Sequence, residues 1–389
     1  MNIHIAIMTA AVLLVQVLQI SAQYINPLKG DIGVHDPVMI KQGSTYYVYG
    51  TGNRIAMKSS SDRINWKNRG SAFSSGAESW SKALVPGNNG SDMWAPDISF
   101  RNNKYWLYYS ISSFGSNVSA IGVATNPTLD PSASNYKWTD LGLVIKSTSS
   151  NNYNCIDPNV FEDTDGTLWL SFGSFWSGLK LVQLDPSTGK PLSSNPAITS
   201  LATYTGTAIE AAFITKWKNY YYLFVSWDQC CKGVNSTYKI AVGRSTKVTG
   251  PYVDKNNKAM TSNGGVLLWA GDSRWKGPGH QGIFIEHDTM FVVNHAYDAN
   301  DNGVSKLIIR PLYWTTDGWP TYTPQSSEAS LSIQKKTPFK SAKPSLILQT
   351  NEKTDAVSAV NNTFSIKGEK LNPEPTGKKR TRVVIVKPD

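Results

Sequence analysis

Short apolar and aromatic runs alternate with polar turns along most of this chain, and the alternation recurs five times. The repeats open on His35-Asp36-Pro37-Val38, Trp94-Ala95-Pro96-Asp97, Ile156-Asp157-Pro158-Asn159, Ile209-Glu210-Ala211-Ala212 and Gly279-His280-Gln281-Gly282. A hairpin signal follows each, at Gln42-Gly43, Asn102-Asn103, Asp165-Gly166, Lys218-Asn219 and His287-Asp288. Second strands are predicted at Tyr46 to Tyr49, Tyr105 to Tyr109, Leu168 to Phe172, Tyr220 to Phe224 and Met290 to Val293. Third strands are predicted at Ile55 to Met57, Ala120 to Ala124, Leu179 to Leu184, Lys239 to Gly243 and Leu307 to Ile309. No helical period is sustained after the leader, so the expected fold is all-β. Units of roughly fifty to seventy residues suggest a radial array, a five-bladed β-propeller. An irregular β-sandwich would use the same strands but would not require five aligned hairpins.

In a propeller, equivalent positions of the blades face one axis. The opening segments place Asp36, Ala95, Asp157, Glu210 and His280 in one slot by this alignment. Three carboxylates and an imidazole would then meet, which is an arrangement suited to acid–base catalysis. The bland reading of Asp36-Pro37 and Asp157-Pro158 is that each aspartate caps a strand, but Glu210 has no proline after it. Trp94, Phe114, Trp176 and Trp227 follow anchors or turns and read as loop aromatics, whose faces suit the C–H surface of a sugar ring.

Composition adds the compartment. An apolar run from Ile3 to Ile20 followed by Ser21-Ala22-Gln23 reads as a signal peptide over residues 1–22, so a secreted, extracellular protein is expected. Sequons at Asn89, Asn117, Asn235 and Asn361 are candidate glycosylation sites. Three cysteines, Cys155, Cys230 and Cys231, are too few for a disulfide framework; the adjacent pair leaves open a vicinal bridge or two buried thiols. More than half of the net charge of +10 lies from Thr321 onward. Residues 326–389 therefore read as a basic, flexible extension, one that could adhere to acidic wall polysaccharide, and residues 23–325 as the propeller. Neither a nucleic-acid nor a membrane partner is expected, and the protein is expected to be a monomer.

Taken in order, several motifs resemble one family. They are Val34-His35-Asp36-Pro37, Met93-Trp94-Ala95-Pro96-Asp97, Asn154-Cys155-Ile156-Asp157-Pro158 and Ser174-Phe175-Trp176, then Ala208-Ile209-Glu210-Ala211, Asp228-Gln229-Cys230-Cys231-Lys232-Gly233, Gly250-Pro251-Tyr252 and Gly279-His280. From about residue 25 to 320 the chain resembles the secreted arabinanases of glycoside hydrolase family 43. The resemblance implies a five-bladed propeller that hydrolyses internal α-1,5-linked L-arabinofuranosyl bonds of arabinan with inversion. It implies Asp36 as general base, Glu210 as general acid and Asp157 as the group that tunes and positions the acid. It further implies substrate contacts from Asp36, Trp94, Phe114, Gly115, Asn154, Cys155, Ile156, Asp157, Ser174, Phe175 and Trp176. A calcium ion held largely by water would be reached by His280. Exo-arabinanase, arabinofuranosidase and β-xylosidase activities remain open within the family, as does a carbohydrate-binding propeller without catalysis.

Overall fold

The computed structural model describes residues 28–325, apart from residues 206 and 207 and the side chain of Glu78. The expected leader, the sequon at Asn361 and the basic extension lie outside the described residues. Five sheets form a five-bladed β-propeller, each from successive strands except that Gly52–Asn53, within the chain of blade 1, pairs with the innermost strand of blade 2. Blade 1 runs Val38–Gln42, Thr45–Gly50, Ala56–Ser60 and Asn65–Ser71. Blade 2 runs Asp92–Arg101, Lys104–Ile111, Ser119–Asn126 and Thr139–Ser147. Blade 3 runs Asn159–Glu162, Leu168–Phe172, Leu179–Leu184 and Thr199–Ala202. Blade 4 runs Ile209–Trp217, Tyr220–Trp227, Lys239–Ser245 and Val266–Trp269. Blade 5 runs Trp275–Glu286, Thr289–Asp298, Val304–Trp314 and the short Pro320–Thr321.

The second and third strands fall where the alternation predicts them. The outermost strands were not legible, because an edge such as Asn65–Ser71 is largely exposed and carries no apolar alternation. Each pair of neighbouring blades shares its own apolar core. Tyr49, Met57, Met93 and Leu107 join blades 1 and 2, and Trp106, Tyr108, Leu170 and Phe172 join blades 2 and 3. Leu181, Ile214 and Val225 join blades 3 and 4, while Phe224, Val242, Val292 and Leu312 join blades 4 and 5. The fifth core, with Met39, Val48, Val293 and Ile309, closes the ring.

The segment before Asp36 ties that last junction. Lys29–Gly30 pairs in parallel with the outer strand of blade 1. A few residues later, the Val34 N–H donates to the Ser305 carbonyl and the Leu307 N–H to the Ile32 carbonyl, both on blade 5. One stretch of chain thus bridges the first and last blades, so every described blade is completed within residues 28–325.

Of the sequons, Asn89 and Asn235 are exposed. Asn117 is buried, and its amide donates to the carbonyls of Thr148 and Asn151. That site is occupied by structure and is removed from the expected set.

Asp97 is buried between blades 2 and 3, where it accepts from the Val160 N–H at 2.7 Å. Burial pushes its carboxyl up to about 7, against the pull of that hydrogen bond. Its folded pKa thus lies above the roughly 3.9 of an unfolded aspartate. The stability it contributes is complete below that unfolded value and is lost as pH rises through about 7. Asp97→Asn is therefore expected to gain in melting temperature over the wild type as pH rises from about 5 to 8. An unchanged difference across that range contradicts this account of Asp97.

Candidate active site

The innermost strands carry an irregularity at the axis. Asp36, Ala95, Asp157, Ala211 and His280 all have left-handed φ, between 42° and 59°. Each turns its backbone N–H onto a side chain of the preceding blade. Asp36 donates to His295 Nδ1 at 3.1 Å, Ala95 to Thr51 Oγ1 at 2.7 Å and Asp157 to Ser110 Oγ at 3.1 Å. Ala211 donates to Asp157 Oδ2 at 3.1 Å and His280 to Ser226 Oγ at 2.9 Å. A left-handed non-glycine residue is unfavourable by about 1 kcal/mol or more, and these hydrogen bonds offset that cost.

This ring corrects the sequence alignment at one place. Ala211 fills the fourth axial slot, and Glu210 sits one residue earlier, level with Trp94 and Gly279 by the register of the strand pairs. Glu210 thus belongs to the row that faces the cleft above the axis. The equivalent residue in blade 5 is Gly279, where a Cβ would overlap the ring of Tyr238. That tyrosine is one of two residues that fix Glu210: its hydroxyl donates to Oε1 at 2.6 Å, and Ser174 donates to Oε2 at 2.6 Å.

Asp36 lies among imidazoles. His35 Nδ1 is 2.9 Å and His280 Nδ1 3.2 Å from Oδ1, while Thr51 donates to Oδ2 at 2.5 Å. Burial alone would raise its pKa, but the three neighbouring histidines outweigh burial and hold the carboxyl well below the usual range. His35 is pushed down by burial, yet the charge of Asp36 and their hydrogen bond leave it raised overall. His295 accepts the Asp36 N–H at Nδ1 and is fully buried, which keeps it neutral.

Asp157 and Glu210 behave oppositely. Burial raises both, and Asp36 raises both further by charge; Glu210 also repels Asp157. Their neighbouring blades bring the two side by side, where they resist simultaneous ionisation. The expectation that Asp157 sets the proton affinity of Glu210 thus takes a more reciprocal form. Burial is the first cause at both sites, and the Asp36 charge also acts on Glu210.

Above these groups opens a cleft with a volume of about 590 Å³. Of the predicted contacts, Asp36, Trp94, Phe114, Gly115, Asn154, Ile156, Asp157, Ser174, Phe175 and Trp176 line it. Phe114 is 83 % and Trp176 48 % exposed, a large apolar display at a cleft rim. Cys155 does not line the cleft. It is fully buried in the core between blades 2 and 3, and burial pushes its thiol up to about 12. Trp227 also leaves the set, since it ends a strand of blade 4 and stacks on Tyr204 with ring centroids 4.5 Å apart. Sequence reading missed His35, Thr51, Tyr238 and the Gln229–Lys232 loop as lining residues. The His35-Asp36 adjacency and the Asp228–Gly233 motif offered a signal for His35 and for the loop, whereas Thr51 and Tyr238 had none. Cys230 and Cys231 form a disulfide, which decides between the two states left open above.

At His280 the protein supplies one imidazole, so a calcium ion there would take its oxygen ligands almost wholly from water. Calcium takes about six to eight oxygen ligands, and His280 offers a nitrogen beside an Asp36 oxygen already engaged by His35. Among the described residues, the grouping of potential metal donors nearest the acids is His35, Asp36 and His295, which excludes His280.

A propeller that gathers at its axis and just above it one carboxyl with lowered pKa and two with raised pKa, beneath an aromatic rim, is suited to acid–base chemistry on a sugar. Comparison with known proteins gives the family: the model of glycosyl hydrolases family 43 matches residues 25–320. The chain belongs to that family. It is 52 % identical over 293 residues to the extracellular endo-α-(1→5)-L-arabinanase 1 of Bacillus subtilis, covering 74 % of this chain and 87 % of that protein. It is 42 % identical over 313 residues to the extracellular exo-α-(1→5)-L-arabinofuranosidase ArbA of Cellvibrio japonicus, covering 77 % and 89 %. The solved family 43 endo-arabinanase of Bacillus licheniformis superposes with a TM-score of 0.71 at 51 % identity, covering 76 % of this chain and 99 % of that one.

The Tyr238 and Ser174 hydroxyls both stabilise the ionised form of Glu210. Removing one is expected to raise the pKa of Glu210 and move the alkaline limb of the kcat/KM profile to higher pH. Tyr238→Phe tests this, because the ring that fills the space beside Gly279 is kept. A limb that stays in place or moves down contradicts the assignment of that limb to Glu210.

Proposed function

We propose that the protein is a secreted arabinanase that cleaves internal α-1,5-L-arabinofuranosyl linkages with inversion. Secretion is supported by the apolar leader and by relatives named extracellular. Among the described residues no helix is long and apolar enough to cross a membrane. The substrate class is supported by those relatives and by a cleft of sugar-sized aromatic contacts.

In this reading Asp36, kept ionised by its imidazole neighbours, takes a proton from water. Glu210, kept protonated by burial, gives its proton to the departing glycosidic oxygen. Asp157 anchors the Ala211 amide next to the acid and, when charged, raises the affinity of Glu210 for its proton. Asp36 and Glu210 stand on blades 1 and 4, which are not neighbours in the ring, so they approach the linkage from opposite sides of the axis. Inverting hydrolysis needs that separation, because water must fit between the base and the sugar.

Endo action is supported by the open space and aromatic side chains flanking the acids. A second cavity of about 610 Å³, which reaches Tyr204, shares Phe175, Trp176 and Gln229 with the wall of the cleft. Trp94 and Phe114, with ring centroids 5.0 Å apart, form another aromatic pair on the cleft wall. In this reading an arabinan chain lies over the acids with sugars on either side of the cleaved bond. The similarity to ArbA favours a second reading, exo cleavage from one end. Linear arabinan separates the two: oligomers of mixed length at the earliest times are expected, and a single short product from the start overturns endo action.

Glu210→Gln is expected to lose about 10²–10⁴-fold on arabinan, where the leaving sugar alcohol needs its proton. With a nitrophenyl arabinofuranoside it should recover much of the wild-type rate. Asp36→Asn should not recover there, since water still has to be activated. The reverse pattern exchanges the two roles.

A further inference from the structure

The Cys230–Cys231 disulfide lies at the cleft wall, and a continuous set of contacts leads from it to Asp36. The Cys231 N–H donates to the Tyr297 hydroxyl at 2.7 Å, and that oxygen is 2.8 Å from His35 Nε2. The other nitrogen of His35 is 2.9 Å from Asp36 Oδ1. Tyr297 is 4 % exposed and does not line the cleft. It therefore cannot act on a substrate except through His35 or the loop. His35 is clamped on its face as well, stacked on His295 with centroids 4.0 Å apart.

We propose that Cys230, Cys231 and Tyr297 are positioning residues that set the catalytic base Asp36 through His35. A disulfide between adjacent residues closes a small ring through their own peptide bond. Few backbone conformations satisfy such a ring, so the direction of the Cys231 N–H is fixed. That N–H orients the Tyr297 hydroxyl, and the hydroxyl holds the imidazole in the plane from which Nδ1 meets Asp36. An imidazole with only one anchored nitrogen can swing about its Cβ–Cγ bond, and the carboxylate would follow it away from the attacking water. Placement of the reacting groups is worth large factors in rate. This inference rests on Asp36 as the base.

The test compares Tyr297→Phe and the double variant Cys230→Ser/Cys231→Ser, each checked by a circular dichroism melt, on arabinan and on a nitrophenyl arabinofuranoside. Loss of one orienting hydrogen bond is expected to lower kcat about tenfold on both substrates with KM unchanged. Combining all three substitutions should cost no more than Tyr297→Phe alone, because they interrupt one line of contacts. Wild-type kcat in Tyr297→Phe overturns the proposal. So does a raised KM with unchanged kcat in the serine pair, which would make the loop a sugar contact only. Asp36→Asn run beside them keeps the two readings apart: if it retains activity, the base assignment itself falls.

Discussion

The structure depends on five backbone amides at the propeller axis. Where the innermost strands converge, those of blades 2, 4 and 5 break their register at a left-handed residue, and in blades 1 and 3 the left-handed residue lies just ahead of the strand. The N–H freed from the ladder would be a buried orphan, with a cost of about 1–3 kcal/mol. It is satisfied by a side chain of the blade before it. The acceptor differs from blade to blade, as imidazole, threonine, serine, carboxylate and serine, but the geometric demand is the same. Fold closure and placement of the acids are therefore one problem. Asp36 and Asp157 owe their position to an amide docked on the neighbouring blade, and Asp157 in turn receives the amide of Ala211.

The same crowding settles the charges. Three carboxylates share a region from which water is largely excluded, and imidazoles cluster about only one of them. Asp36 keeps its negative charge because His35, His280 and Thr51 surround it. Asp157 has no imidazole acting on it and Glu210 feels His35 less than it feels burial, so burial and repulsion raise the pKa of both. The division of labour between a base and an acid thus follows from where the histidines stand, since the carboxyl chemistry itself is nearly identical.

Two features show how the outer layer serves this centre. Gly279 is small because Tyr238 passes over it to reach Glu210. The Gln229–Lys232 loop combines a cleft wall with an amide aimed at Tyr297. In both cases a residue that looks unremarkable in the chain is fixed by a partner more than twenty residues away.

What the sequence determined by itself was whatever has a local period. Alternation and hairpin turns announced five β units, and the Asp-Pro and Trp-Ala-Pro segments marked their axial ends. Asp36, Asp157 and Glu210 were legible because they recur at nearly the same point of aligned repeats and fall within motifs that resemble family 43. The tertiary structure alone decided the rest. It moved Glu210 one place off the axial slot, because a register break at a bulge leaves no trace in residue types. It put Cys155 in a blade interface and Trp227 against Tyr204, since alternation states that a side chain points off the strand but not what it meets there. It also gathered His35, His295, Tyr238 and Tyr297 around the acids from blades far apart in the chain. Their distances along the sequence carry no information about contact, because that contact exists only once the ring has closed.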